Sequence, residues 1–121
     1  MERRGQKHRR ERLSEALREE IETIVEGELG DPRIGLASVS SVHMAEDGRS
    51  AHIQVAVAGD DAECDRTLAG LNAAKNFMRH ELAGRLRLRR PPELFFQIDR
   101  SEQLESRVEE LLARAKKRSK K

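Results

Sequence analysis

Aromatic residues are scarce in this chain, which has no tryptophan, no tyrosine and only three phenylalanines in 121 residues. Two of these, Phe77 and Phe96, fall at positions where the apolar pattern predicts faces turned toward a core. A platform of exposed rings for stacking nucleobases is therefore not expected. Any contact with a nucleic acid would have to come from cations, backbone amides and shape.

Cysteine and long apolar runs are also nearly absent. The single cysteine, Cys64, excludes an intrachain disulfide and a metal cluster built on several thiolates. The longest stretch without an acid or a base other than histidine, Ile34–Ala45, is far too short to cross a bilayer. No apolar run follows the basic N-terminus as it does in a signal peptide. We therefore expect a soluble cytoplasmic protein with no membrane partner.

Sequence patterns that indicate catalysis are missing as well. The serines lack the glycines of a nucleophile elbow, no glycine-rich phosphate loop is present, and the acids are spread along helix surfaces. Of the four histidines, His43 and His52 face each other in the predicted hairpin, but a zinc site needs further ligands, and an ordinary polar sheet face is favoured. We expect no enzyme, no metal and no cofactor, and a small hydrolase or nuclease is a weak alternative.

The charge of the chain is segregated, although its net value is only +2. Residues 1–12, 75–90 and 114–121 together hold eighteen basic and three acidic residues, a net charge of +15. The other 85 residues carry −13. Clustered cations suit a polyanion, and the acidic remainder discourages indiscriminate adhesion.

The first half of the chain predicts one helix and a hairpin. Residues 1–6 are expected to be disordered, and three- and four-residue apolar steps predict a helix from about Lys7 to Leu29. Strands are predicted at Leu36–Ala45, with a bulge where the alternation slips, and at Ser50–Ala58. An Asp-Gly pair between them is a strong hairpin signal, and a two-residue turn there brings the apolar faces of both strands into agreement.

The second half predicts two helices, a strand and a final helix. Asp60 and Glu63 resemble a capping box at the start of the second helix, which is expected to bend near Ala74 before a third helix begins. A loop rich in arginine ends at two prolines, and Leu94–Ile98 alternates as a third strand. These elements give an α+β domain over residues 7–99, with a small three-stranded sheet packed by helices. Residues 100–114 predict a C-terminal helix, and residues 115–121 form a basic tail.

The bend is the best candidate site in the chain. A helix that starts at a bend has unpaired N–H groups and the positive end of its dipole, both of which attract phosphate. Basic residues cluster there and in the loop that follows: Lys75, Arg79, Arg85, Arg87, Arg89 and Arg90. We favour RNA binding over a merely solvated connector because the cations fall on two neighbouring elements.

Several segments, taken in order, resemble the ribosome-binding factor A family over roughly residues 7–114. Each segment is weak evidence alone, and the ordered set is highly specific. The segments are Glu28-Leu29-Gly30-Asp31-Pro32-Arg33-Ile34-Gly35, Ala51-His52-Ile53-Gln54-Val55-Ala56-Val57, Leu71-Asn72-Ala73-Ala74, and Arg85-Leu86-Arg87-Leu88-Arg89 with Pro92-Glu93-Leu94.

The resemblance implies a type II KH-like fold, α-β-β-α-α-β, with an interhelical kink of Ala-x-Gly type in place of the usual KH glycine loop. The kink falls on Ala74-Lys75-Asn76, where asparagine replaces glycine. Asparagine tolerates a left-handed backbone better than other non-glycine residues. With the kink as the site, Ala74, Lys75, Asn76 and the arginines above are the RNA-binding candidates, and Arg33 is a further one.

The function implied by the resemblance is that of a non-enzymatic assembly factor. It would bind free 30S subunits and 16S ribosomal RNA near its 5′ region, promote late maturation and RNA processing, matter most in the cold, and leave before translation. Functional links to assembly GTPases follow by the same resemblance. Nothing in the pattern demands a dimer, so we expect a monomer. The alternative is a protein-interaction module, in which the C-terminal helix with Leu104, Val108, Leu111 and Leu112 docks a partner and RNA affinity is incidental.

Overall fold

The computed structural model describes the backbone of residues 2–100 and 112–116, and the side chains of these residues from residue 9 onward. The element order is the one expected of the type II KH-like fold, helix, two strands, two helices and a strand. The elements are α1 (Glu2–Gly27), β1 (Ala37–Met44), β2 (Ser50–Val57), α2 (Asp61–Ala73), α3 (Lys75–Leu86) and β3 (Glu93–Ile98).

Helix α1 begins at Glu2, five residues before the predicted start, so the structure has helix at residues 2–6 where the sequence predicts disorder. Arginine, glutamate, glutamine and lysine are good helix formers, and the one glycine in this stretch costs only about 1 kcal/mol. The helix ends at Gly27, two residues before the predicted end.

The hairpin of β1 and β2 has the predicted antiparallel register. Val42 lies opposite Ile53, and Met44 lies opposite Ala51. The register shifts between Val39 and Ser41, which confirms the predicted bulge. Because the bulge restores the phase of the alternation, both ends of β1 contribute buried side chains to the core.

Strand β3 runs parallel to β2 and completes a mixed sheet in the order β1-β2-β3. The sheet buries one face against the helices. Large side chains that are fully buried come from every layer: Leu17, Ile21 and Ile24 of α1, Val39, Ile53, Val55 and Leu94 of the sheet, Leu71 of α2, and Met78 and Leu82 of α3. The helices and the sheet therefore share one core.

The C-terminal segment is described only in part. Residues 112–116 are helical, so the predicted C-terminal helix extends at least two residues beyond position 114. Its other predicted apolar positions, and residues 117–121 of the tail, lie outside the described residues. Arg114 donates to Glu26 at 3.2 Å, which places the described piece beside the end of α1. Within the described ranges, no helix combines the length and the apolar character needed to span a membrane.

Candidate nucleic-acid interface

The bend between α2 and α3 is a single residue, Ala74. Its backbone remains right-handed, with φ −88° and ψ 0°, and its N–H is shared among the carbonyls of Gly70, Leu71 and Asn72. The rotation of ψ by about 40° from the helical value is what separates the two helices. Asn76 lies inside α3, and Arg87 is the one non-glycine residue with positive φ in the described part of the chain. The bend therefore does not depend on a left-handed residue at position 76.

Few side chains compete with an external anion for the N–H groups at the start of helix α3. Ala74 offers no capping side chain, and the first turn contains no acid. Asn76 is exposed, while Lys75 is half-buried. The positive end of the helix dipole thus lies at the bend, where Lys75 is the first residue of α3.

Arg33 is brought to the last turns of α2 by close packing of the preceding loop. A Cβ added to Gly70 would lie 2.6 Å from Cγ1 of Ile34 and 3.4 Å from Cβ of Arg33, so only glycine allows this approach. The loop is further held by the amide of Gly35, which donates to Oγ1 of Thr67. The Arg33 guanidinium is engaged by Asp31 at 2.6 Å, which lowers the pKa of that carboxyl to about 2.

Arg79 fastens the end of the arginine loop to α3. Its Nε and Nη2 donate to the carbonyls of Pro92 and Pro91, each at 3.1 Å. Its Nη1 lies 3.5 Å from a carboxylate oxygen of Glu93. Both prolines precede β3, so their carbonyls lie outside its ladder and can accept these bonds. Arg79 therefore anchors the loop one turn from Lys75.

Arg85 faces α1 instead of the bend. Its guanidinium pairs with Glu20 at 3.1 Å, with Glu28 through two oxygens, and with Glu81 at 3.1 Å. The hydrogen bond from Arg85 lowers the pKa of Glu28, and the three carboxylates together raise the pKa of Arg85. We call this group the α1–α3 ion-pair cluster, and its arrangement makes Arg85 a link between helices.

Residues 87–92 form what we call the arginine loop. Arg87 ends α3 in the left-handed region, at φ 54° and ψ 46°. The amide of Leu88 donates to the carbonyl of Ala83 at 2.9 Å, which is the six-to-one bond of a Schellman cap. Arg87, Arg89 and Arg90 are exposed, and none of the three has an ion pair or side-chain hydrogen bond to the described part of the chain. Among the predicted site residues, these are the arginines most available to a ligand.

The structure thus divides the predicted site residues into two groups. Ala74, Lys75 and Asn76 lie at the bend, and the second group is the loop cations Arg87, Arg89 and Arg90. Three other predicted residues have guanidinium groups already engaged within the protein: Arg33, Arg79 and Arg85. Of these, Arg79 ties the loop to the bend, whereas Arg85 is directed elsewhere.

The aromatic side chains differ from the prediction. Phe96 is buried, but the expectation that Phe77 faces the core is wrong, because its side chain is 47 % exposed. The inward face of α3 follows four-residue steps through Met78 and Leu82, and its neighbour Phe77 lies off that face. Phe95 is 44 % exposed and stacks on His52. The alternation in β3 could have indicated an outward Phe95, but its contact with His52 requires the parallel register.

Comparison with known sequences gives consistent matches over nearly the whole chain. The family model described as "Ribosome-binding factor A" matches residues 9–112. A protein of that name from Koribacter versatilis is 58 % identical over 120 residues, which cover 99 % of this chain and 98 % of the relative. One from Solibacter usitatus is 43 % identical over 106 residues, covering 88 % and 86 %.

Solved structures agree with the sequence matches. The crystal structure of ribosome-binding factor A from Thermus thermophilus has a TM-score of 0.59 at 31 % identity, covering 80 % of this chain and 98 % of that one. A homology model of the Thermus thermophilus factor, fitted into a cryo-EM map of a 30S–factor complex, has a TM-score of 0.58 at 30 % identity. It covers 78 % of this chain and 96 % of that chain.

Proposed function

Because the chain belongs to the ribosome-binding factor A family, we propose that it is a non-enzymatic assembly factor for the 30S subunit. It binds free 30S subunits through 16S ribosomal RNA near the 5′ region, promotes late maturation and processing of that RNA, and leaves before translation. It acts in the cytoplasm as a monomer, is needed most in the cold, and is linked functionally to assembly GTPases. In this proposal residues 7–99 are the RNA-binding domain, and residues 100–114 and 115–121 are accessory.

The proposal depends mainly on one observation, the exposed arginines of the arginine loop. Three exposed guanidinium groups have no partner among the described residues, while Arg79 holds the loop against α3. Cations on a loop that the fold holds in place bind a phosphate backbone with less loss of loop entropy than cations on a mobile tail. The bend, one helical turn from Arg79, adds the dipole of α3 and the Lys75 ammonium near the end of the loop that Arg79 holds.

The predicted contact residues take different parts in the proposal. Ala74, Lys75 and Asn76 form a surface that the RNA backbone can approach closely. Arg87, Arg89 and Arg90 supply phosphate contacts. The remaining three, Arg33, Arg79 and Arg85, hold their elements in place, since their guanidinium groups are already engaged.

The test is the salt dependence of binding to purified free 30S subunits. Replacing Arg87, Arg89 and Arg90 by alanine together should weaken binding and flatten the log–log slope against salt by about one unit for each lost phosphate contact. The matched control replaces Arg18, Arg66 and Arg100, which changes the net charge equally on other elements. Unchanged affinity in the loop variant, or an equal loss in the control, contradicts the proposal.

A second candidate function, docking of a protein partner by the C-terminal helix, is favoured by one observation. Leu112, one of the predicted apolar positions of that helix, is 49 % exposed. Leu112→Ser separates the two functions. If it abolishes 30S binding while affinity for free 16S RNA is kept, the protein-docking function is the primary one.

A further inference from the structure

The face of the sheet turned away from the helices carries a row of ring side chains. His43, His52 and Phe95 are Cα partners on the three successive strands. Phe95 is flanked along β3 by Leu94 and Phe96, both buried in the core, so its own ring points to the opposite face. At 44 % exposure, it is one of the largest apolar groups left open to solvent in the described part of the chain.

Two contacts hold the Phe95 ring in a defined position. Its centroid lies 5.1 Å from that of the His52 ring, and the two planes are 16° apart. The Lys75 ammonium lies over the ring at 5.4 Å from the centroid. The π-face of a phenyl ring packs favourably against a cation or a flat imidazole ring. A purine or pyrimidine base can take the place of either neighbour.

The next row on the same face supplies hydrogen-bonding groups. Gln54 and Gln97 are Cα partners on β2 and β3, and both are exposed. Amide side chains can donate to and accept from the edge of a base. No side chain of either row is acidic. The carboxylate that precedes Phe95 on the same phase of β3, Glu93, lies 3.5 Å from the Arg79 guanidinium.

The ring row is continuous with the proposed phosphate contacts. Phe95 follows Arg90 by five residues, so their Cα atoms are at most about 17 Å apart. Lys75 connects the two regions directly, because it belongs to the bend and covers Phe95. A strand of RNA whose phosphates lie along the arginine loop can therefore reach the sheet within a short distance.

We propose that this stacking surface, defined by His52, Phe95, Lys75, Gln54 and Gln97, binds an unpaired RNA base. The base takes the place of the Lys75 ammonium against the Phe95 ring, and the released ammonium pairs with a phosphate of the same strand. The exchange is favourable because base–aromatic stacking is stronger than an exposed cation–π contact. The inference rests on the proposed function and adds base contacts to a site otherwise made of charge and shape.

The test uses the absence of tryptophan from the chain. Phe95→Trp introduces a single tryptophan into the chain, and this tryptophan reports on the stacking surface. Its fluorescence should be quenched when short single-stranded oligouridylate is added, with affinity equal to or tighter than that of the unaltered protein. Phe95→Leu keeps an apolar side chain without a ring, and it should weaken binding of the oligonucleotide at least about fivefold.

Phe77→Leu is the matched control. Phe77 is exposed to a similar extent, but it is two residues from Lys75 on α3, and residues at that spacing do not share a helix face. It should leave affinity within about twofold. Thermal unfolding of each variant checks that the fold is kept, as expected for exposed positions.

The following results would overturn the stacking surface. These are unchanged affinity in Phe95→Leu, an equal loss in Phe77→Leu, and no measurable binding of oligouridylate by the unaltered protein. Weakened 30S binding without weakened oligonucleotide binding would assign Phe95 to a ribosomal protein instead, and would also reject it. The proposed function is decided separately, by binding of the arginine-loop variant to free 30S subunits.

Discussion

At Arg87, the effect of backbone geometry on stability can be tested separately from the effect of charge on binding. It adopts φ 54° and ψ 46° at the end of α3, a conformation that costs a non-glycine residue about 1–2 kcal/mol. Glycine avoids this cost but loses more entropy on folding, about 0.4–1 kcal/mol. Arg87→Gly should therefore stabilise the protein by about 0.5–1 kcal/mol, which raises Tm by about 2–5 °C.

Arg87→Ala retains the strained backbone, so its stability should stay within about 0.5 kcal/mol of the unaltered protein. Both variants lose the same charge, and their affinity for free 30S subunits should fall equally. Arg89→Gly is the matched control, because Arg89 has no positive φ and glycine there should only destabilise. The measurements are urea and thermal unfolding followed by circular dichroism. If Arg87→Gly is no more stable than Arg87→Ala, the left-handed cap of α3 is refuted.

Three further changes test other parts of the structure. Arg85→Ala should raise the pKa of Glu28 to its ordinary value, which NMR titration of the carboxyl carbon measures. Binding to 30S subunits should be nearly unchanged. A loss of binding like that of the arginine-loop variant would contradict the linking role. Arg33→Ala should raise the pKa of Asp31 from about 2 only part of the way to its ordinary value, because the backbone N–H of residue 33 still donates to the carboxylate. The interaction stabilises the native protein above the ordinary pKa of the carboxyl, and this stability is lost as the pH falls through about 2. The variant should therefore show a smaller loss of stability over that range of pH. Gly70→Ala should destabilise by about 1 kcal/mol despite the better helix propensity of alanine, because its Cβ meets the preceding loop; a gain in Tm would contradict that packing.

Local signals in the sequence were sufficient to predict the elements. The Asp-Gly turn and the alternation around it set the register of β1 and β2, down to the bulge. The capping box is a local signal of the same kind, and Asp60 accepts a hydrogen bond from the amide of Glu63 at 2.9 Å. The ends of α1 were less predictable, because its first residues are good helix formers whatever they pack against.

The partners of individual side chains could not be predicted, because they depend on tertiary packing. The pair of Arg85 with Glu81 is visible at a four-residue spacing, but its bonds to Glu20 and Glu28 require α1 to lie beside α3. The stacking of Phe95 on His52 likewise depends on the parallel register of β3. Charge clustering therefore suggested the candidate interface, while the structure shows which of its arginines have partners among the described residues.

The most direct test of the account is photo-crosslinking to purified free 30S subunits. A photoreactive amino acid placed at Asn76 in the bend, or at Arg89 in the arginine loop, should crosslink to 16S RNA. The same group at Asp61, an exposed residue at the other end of α2 and about 20 Å from the bend, should not. Crosslinks from Asp61 as strong as those from Asn76, or crosslinks from the bend to ribosomal proteins alone, would contradict the account.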